Sequence, residues 1–193
     1  FLFLVILILS TIGYETDKFN KLISEKISEN NKNISLKLEK IKFKFDINDL
    51  KLFLETKNSE INYYNVKVPI EKVKTYLNFL SLVNSKPKID KIDLSLKEIN
   101  VDKLKKIIIK TKPSSLNSLI VNKVIKGKMQ MNLELFFQEN LKIENFILKG
   151  SVSEMSGKFK EKLEFKDTSF NFFADSSDII IKNIKGSTVG VYI

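Results

Sequence analysis

The sequence predicts a mainly β chain with a few short helices, in which an N-terminal membrane helix leads into a long antiparallel sheet curled into an open apolar groove. Three observations predict it. The chain opens with an uncharged run, Phe1-Leu-Phe-Leu-Val-Ile-Leu-Ile-Leu9, which continues through Ile12 and Tyr14 before the first charge at Glu15. Segment after segment then alternates apolar residues with Lys, Glu, Asn or Asp, the period of a half-buried strand. Helical spacing is confined to a few short stretches and is scarce beyond Gly127.

A spanning helix needs about 20 apolar residues, and the opening run supplies only about 12 to 14. The chain does not begin with Met, so residues 1–14 read as a truncated transmembrane anchor. The alternative is a secretory signal peptide, whose apolar region of about 7 to 15 residues ends at a small-x-small cleavage site. Ser10-Thr-Ile-Gly13 matches such a site poorly. Either reading puts the remainder outside the cytoplasm. Orientation is not legible, because Glu15, Asp17, Lys18 and Lys21 nearly cancel. Residues 15–31 read as a juxtamembrane helix, with Phe19, Leu22, Ile23 and Ile27 at helical spacing and Asp17 as its cap. A packed amphipathic helix and a membrane-surface helix fit that stretch equally.

The next segment, residues 32–112, reads as a first β-groove segment with two short helices. Ile34, Leu36 and Leu38 alternate, the phase slips at Glu39-Lys40, and Ile41, Phe43, Phe45 and Ile47 resume on the other parity. A bulge or tight corner there would return them all to one face. Leu50-Lys-Leu-Phe-Leu54, a turn at Lys57-Asn-Ser59, Ile61 and Tyr63, then Val66, Val68 and Ile70 follow. Glu71 to Val83 predicts a helix, because Val73, Leu77 and Leu80 fall at i, i+4 and i+7. Ile89, Ile92, Leu94, Leu96, Ile99 and Val101 restore strand spacing, until Asp102 caps a second short helix through Leu104, Ile107 and Ile108.

Thr111-Lys-Pro-Ser-Ser115 is the clearest break, and residues 113–193 read as a second β-meander segment, truncated at its C-terminus. Ser115 is the candidate cap of a short helix that Gly127 ends. Met129, Met131, Leu133, Leu135 and Phe137 alternate strictly, and Gln138-Glu-Asn140 makes a turn. Leu141 to Leu148 then forms a strand up to Gly150. Shorter strands carry Val152, then Phe159, Leu163 and Phe165, then Phe170 and Phe172, then Ile179 and Ile181, then Val189, Val191 and Ile193.

Composition narrows the chemistry. The 193 residues contain no Cys, His, Trp or Arg, which removes Ser-His-Asp and Cys-His triads and zinc sites built on imidazole or thiolate. No cofactor or metal site is expected, and the chain does not read as an enzyme. The net charge of +10 raises nucleic acid as a partner. Yet Lys is interleaved with Glu and Asp, and Arg, the usual reader of guanine, is absent. Lys, Asn, Ile and Phe all have codons made of A and T, so an AT-rich genome accounts for the composition without a polyanionic partner.

Ser85-Lys-Pro-Lys88 matches a Ser-x-x-Lys spacing, but no Lys-Thr-Gly accompanies it. Asp90 and Asp93 fall on opposite faces of a strand, and Asn33-Ile-Ser35 is a sequon in an Asn-rich chain. Gly127-Lys-Met and Gly157-Lys-Phe lack the hydroxyl of a phosphate loop.

A long meander with one apolar face needs a cover, because each exposed Leu, Ile or Phe forgoes about 1.5 to 3 kcal/mol of burial. A second sheet or the short helices would make an ordinary sandwich. The other solution is an open trough whose floor is covered by acyl chains. The residues expected to line it are Ile41, Phe43, Phe45, Leu94, Leu96, Met129, Met131, Leu133, Leu135, Phe159, Phe165 and Phe172, bulky and alternating inward, with the two Met suited to mobile chains.

The order of elements resembles the opening of the AsmA-like proteins, including the TamB and YhdP relatives. The residues that carry the resemblance are the N-terminal run, the strand from Ile34 to Phe45, Val66 to Val83 with its Ser-Leu-Val ending, and Pro87-Lys-Ile-Asp-Lys-Ile-Asp-Leu-Ser-Leu96. It implies a Gram-negative cell-envelope protein, anchored in the inner membrane with its bulk in the periplasm. Its β groove would conduct phospholipid toward the outer membrane, with phospholipid acyl chains, the inner membrane and other envelope proteins as partners. Family members are longer than this chain, which fits an N-terminal fragment. The runner-up is an envelope scaffold with a closed core, β edges for partner proteins and no lipid.

Overall fold

The period-2 pattern is realised as one twelve-stranded sheet in a computed structural model that describes residues 2–17, 20–21, 24–25, 28, 33–47, 51–57, 59–77, 88–111, 113–138, 142–160 and 163–189. The strands are β1 (Tyr14–Thr16), β2 (Ile34–Lys37), β3 (Ile41–Asp46), β4 (Lys51–Lys57), β5 (Glu60–Tyr63) and β6 (Val66–Leu77). They continue with β7 (Ile89–Leu96), β8 (Ile99–Asn100), β9 (Val124–Phe137), β10 (Ile143–Lys160), β11 (Leu163–Asp175) and β12 (Ile179–Val189). The helices are α1 (Leu2–Thr11), α2 (Val101–Ile108) and α3 (Ser115–Lys123). The main path runs β1-β3-β4-β6-β7-β9-β10-β11-β12, with β2 paired to β5, β5 to β6 and β8 to β9, every pair antiparallel. Because β7 pairs with β9, one sheet crosses the boundary expected near residue 112.

The opening run forms α1, a ten-residue helix about 15 Å long at 1.5 Å per residue. That is about half the hydrocarbon thickness of a bilayer. The expected membrane helix is corrected accordingly: among the described residues no helix is long and apolar enough to cross a membrane. The N–H groups of Ile12 and Gly13 both bond Ile8 O and end the helix, and the chain then pairs as β1 against β3, with Tyr14 opposite Phe43. The juxtamembrane helix expected over 15–31 is helical at Asn20, Lys21, Ser24, Glu25 and Ser28. Its expected apolar residues Phe19, Leu22, Ile23 and Ile27 lie outside the described residues.

The helix expected over Glu71–Val83 is a strand as far as the described residues reach. Glu71–Leu77 completes the twelve-residue β6, and residues 78–83 lie outside the described set. Val73 and Leu77 are four apart, a separation that suits a helix turn and two strand repeats equally. Lys72, Lys74 and Tyr76 take the other parity, and the β-branched Thr75 favours the strand. The slip at Glu39-Lys40 is a corner: Leu36 on β2 pairs with Ile61, and after a bend at Glu39 the chain re-enters the sheet as β3 beside β4.

Both short central helices begin one or two residues earlier than expected. Asn100, not Asp102, caps α2, its side-chain oxygen accepting from Lys103 N at 3.0 Å. Ser114, not Ser115, caps α3 by accepting from Asn117 N at 3.1 Å. The second helix stops at Lys123 rather than at Gly127, because Val124 is extended and buried and opens β9. Val101 and Val124, the first residues of α2 and β9, are buried, as are Ile70, Leu96 and Ile99 on the neighbouring strands.

Beyond α3 the strands are longer and fewer than expected. Gly150 does not end a strand; β10 runs eighteen residues through it, and β11 and β12 merge segments read as separate. Irregularities restore register inside these strands. Glu154 on β10 and Asp167 on β11 have φ of 52° and 47°, and the pairing shifts beside each of them. Such bulges add local twist.

The hairpin between β5 and β6 turns on two residues, Tyr64 and Asn65, with φ of 47° and 64°. Both are in the left-handed region that a type I′ turn requires and that glycine occupies without strain. Asn65→Gly is expected to stabilise the fold by about 1 kcal/mol, read as a higher urea midpoint at unchanged slope. The β11–β12 hairpin closes on Asp175, whose carboxylate accepts from the Ser177 hydroxyl and from the Asp178 and Ser177 N–H groups. These bonds hold its pKa below the ordinary aspartate value. A depressed pKa contributes stability above the unfolded value and loses it as pH falls through the folded one. Asp175→Ala should therefore speed amide exchange at Asp178 and Ile179 at pH 7, and the difference from the parent should shrink as the pH falls below the ordinary aspartate range.

Candidate lipid-facing surface

Antiparallel register carries a side-chain face from strand to strand, because directly opposed residues point the same way. One such row crosses eight strands: Ile41, Thr56, Val73, Leu94, Leu133, Leu148, Ala174 and Ile179, each registered with the next. A second row runs beside it, from Phe43 through Leu54, Thr75, Ile92 and Leu135 to Phe146. On the right-hand strands Met131, Gly150, Phe172 and Ile181 form a third. The face so built is apolar apart from two threonines.

The opposite face is polar and satisfies itself. Lys44 pairs with the buried Glu55 at 3.1 Å, Lys91 bridges Asp93 at 3.1 Å and Glu134 at 3.7 Å, and Lys149 reaches Glu134 at 3.3 Å. Four aromatics share that parity, Phe53, Tyr76, Phe136 and Phe173, and the first two are covered. Phe53 and Tyr76 pack with ring centroids 5.3 Å apart, under the ammonium groups of Lys74 at 4.8 Å and Lys91 at 4.5 Å. Cation and ring attract each other there, so lysines cover these two rings.

Among the described residues the apolar face has no such ion-pair or cation–ring cover. Leu52, Leu54, Val73, Ile92, Leu94, Leu133, Leu135, Phe146 and Leu148 are all half-buried, although they lie in the interior of the sheet with a strand on either side. Their remaining exposure is therefore through the face itself. Among the described residues no second sheet packs on it, α2 and α3 sit at the β8–β9 end, and α1 lies against β3 at the other. Towards β12 exposure rises: Ile179 is 67% and Ile181 50% accessible.

The expected lining residues divide by position. Phe43, Phe45, Leu94, Met131, Leu133, Leu135 and Phe172 belong to this half-buried face. Ile41 and Leu96 share its parity but are buried, at 4% and 8% exposure, so they offer it little surface. Met129 is half-buried at the β8 end, opposite Ile99 and Val152. Phe165 lies over Gly157, past the bulges of β10 and β11 and away from the rows. The backbone of Phe159 is in β10, and its side chain is outside the description.

The sequence reading missed Val73, because β6 was expected to be helical, and also missed Ile92, Phe146 and Leu148. For the last three the alternation itself was the available signal. A shallow depression of about 330 Å³ lined by Asn171, Phe172, Phe173, Ile180 and Lys182 touches one expected residue, Phe172. An open face encloses no deep cavity, so the rows rather than the depression define the surface. No cluster of Asp and Glu able to hold a metal exists among the described residues.

Two glycines leave room for aromatic rings packed over them, Gly150 on the face and Gly157 beyond its rows. A Cβ at Gly150 would strike the Phe172 ring and Gln130 O, and one at Gly157 would strike the Phe165 ring. Gly150→Val is expected to cost about 1–3 kcal/mol by overpacking, seen as a lower urea midpoint, and Phe172→Ala in the same chain should recover part of the loss. Against known proteins, the chain matches no family model, no curated protein and no solved structure, so the reading of this face stands on its own residues.

Proposed function

We propose that this chain is a membrane-associated lipid-binding module whose apolar sheet face holds phospholipid acyl chains, and that it takes part in phospholipid transport between the inner and outer membranes of a bacterial envelope. The observation that carries the proposal is the uncovered row of registered apolar side chains. With strands about 4.8 Å apart, eight strands span about 34 Å, comparable to the roughly 30 Å of a bilayer's hydrocarbon core. Such a face accepts acyl chains laid across the strands, while headgroups stay near the polar rim.

The reading is passive and non-catalytic. Tails exchange one apolar contact for another along the rows, so movement needs no chemical step from this chain, and energy comes from elsewhere. The resemblance to the AsmA-like proteins supports the same reading, and with it a periplasmic position beside the inner membrane.

A second reading, an envelope scaffold that offers β edges to partner proteins, is favoured by one feature. β12 is eleven residues long, forms the end of the strand order, and exposes Ile179, Ile180, Ile181 and Ile184 at 43–68%. A long apolar edge of this kind pairs readily with another strand.

Adjacent residues on β9 separate the two. Leu133 points to the apolar face and Asn132 to the polar one. Native mass spectrometry of protein incubated with phospholipid should show retained lipid in the parent and in Asn132→Asp, and at least tenfold less in Leu133→Asp with an unchanged circular dichroism spectrum. Equal retention by the two variants, or none by the parent, would sink the lipid reading and leave the scaffold.

A further inference from the structure

The positive charge of the chain is concentrated in a way its overall composition hides. Residues 101–126, which include α2, α3 and the link between them, contain seven lysines and one acid, Asp102, and so hold a net six of the chain's +10. The rest of the chain is close to balanced.

The structure sharpens that contrast. On the sheet, several lysines are paired with carboxylates: Lys42 with Glu15, Lys44 with Glu55, Lys128 with Glu154, Lys149 with Glu134 and Lys158 with Glu164. On the helical hairpin Lys106, Lys110 and Lys123 are exposed, and among the described residues none has a carboxylate partner. Uncompensated like charges on one small element repel each other, a cost that an anionic partner removes.

The same hairpin exposes apolar side chains at its far end. Its root is fixed: Val101 and Val124 are buried, and the Lys105 ammonium donates to Val124 O at 2.6 Å. Its tip is held together by Asn117 Nδ2 donating to Thr111 Oγ1 at 3.0 Å, which joins the end of α2 to the first turn of α3. Beside that bond Ile109 is 62% and Leu116 57% exposed. Two bare aliphatic side chains, with Lys110 next to Ile109 in the chain and Lys106 one helical turn before it, suit a lipid–water interface, where the aliphatic groups enter the acyl boundary and the ammonium groups meet phosphates.

We propose that the α2–α3 hairpin is a docking surface for an anionic phospholipid bilayer. Charge complementarity selects the occupant: the patch has one carboxylate, and its aliphatic tip suits hydrocarbon. Nucleic acid would leave Ile109 and Leu116 without a role, and neither an aromatic nor an Arg is present in this stretch to stack on bases. The site is separate from the apolar sheet face, and each can exist without the other.

Flotation of the full chain with vesicles tests it. Vesicles of phosphatidylcholine with about 30% phosphatidylglycerol should bind at least tenfold more tightly than phosphatidylcholine alone, and 0.5 M salt should erase the difference. Replacing Lys106, Lys110 and Lys123 together by Gln should cost about a hundredfold, at roughly fivefold per lysine. Ile109→Ser with Leu116→Ser should weaken binding to anionic vesicles while circular dichroism stays unchanged.

Equal binding to neutral and anionic vesicles, or an unaffected triple variant, would overturn the proposal, as would a preference for RNA over the anionic vesicles. Acyl-chain retention by the sheet is measured separately. A triple Gln variant that still retains lipid but no longer floats upholds the hairpin, and a chain that floats without retaining lipid removes only the groove.

Discussion

Register parity is the constraint on which the structure depends. A strand has a side-chain period of two, so a slip by one residue at any of the pairings would turn the apolar set of every later strand to the polar side. The row from Ile41 to Ile179 survives seven successive pairings. It survives because polar residues hold the other parity at nearly every step: Lys42 and Lys44 on β3, Lys72 and Lys74 on β6, Lys91 and Asp93 on β7, Asn132 and Glu134 on β9. A slipped register would place these charges among Leu and Phe, where each unpaired charge costs several kcal/mol. The ion pairs of the polar face thus contribute little individually to stability, yet the charges that make them fix which way the sheet faces.

Where parity could not be kept by straight strands, the chain inserts residues. The disturbed positions form a seam through Gly127, Glu154 with Met155, Asp167 with Thr168, and Gly186 on four neighbouring strands, each close to the next by pairing or by contact. The bulged residues are polar and their side chains find lysines across the strands, Glu154 with Lys128 at 2.8 Å and Asp167 with Lys126 at 3.3 Å. The Glu154 carboxylate also holds the Lys128 pKa above its ordinary value. Left-handed backbone at Glu154 and Asp167 is strained by about 1–2 kcal/mol each. A row of such bulges twists all four strands together, which a single bulge could not do without breaking its neighbours' pairing.

Much of this fold was legible in the sequence, and what was not has identifiable causes. Strands with strict alternation, such as Met129 to Phe137, were read in place because period two has no competing interpretation over nine residues. β6 was misread because Val73 and Leu77 satisfy both periods, and the deciding helical residue, Leu80, lies outside the described residues. The long β10 and β11 looked like several short strands because a bulge resets parity and a glycine resembles a turn. Gly150 instead leaves room for the Phe172 ring. The caps were displaced by a residue or two because Asn100 and Asp102, or Ser114 and Ser115, are equally good side-chain acceptors. Only the helix geometry chooses between them. The lining residues followed the strands: those on well-read strands lie on the apolar face, whereas Val73 was missed with β6.

The distribution of charge joins the two surfaces. Along the chain lysines are spread widely, and no patch stands out when they are counted by position. The fold sorts them by pairing: antiparallel neighbours bring several sheet lysines within reach of a Glu or Asp, while the helices, which have almost no acids of their own, leave Lys106, Lys110 and Lys123 without a carboxylate among the described residues. Net charge is therefore a property of the hairpin more than of the molecule. A sheet whose lysines are in part paired on one face and whose other face is apolar attracts a polyanion less at long range. A cationic hairpin at one end of it attracts it more, and would orient the chain as it approached an anionic surface. The cationic hairpin and the apolar face are then different parts of one chain, joined at the start of β9.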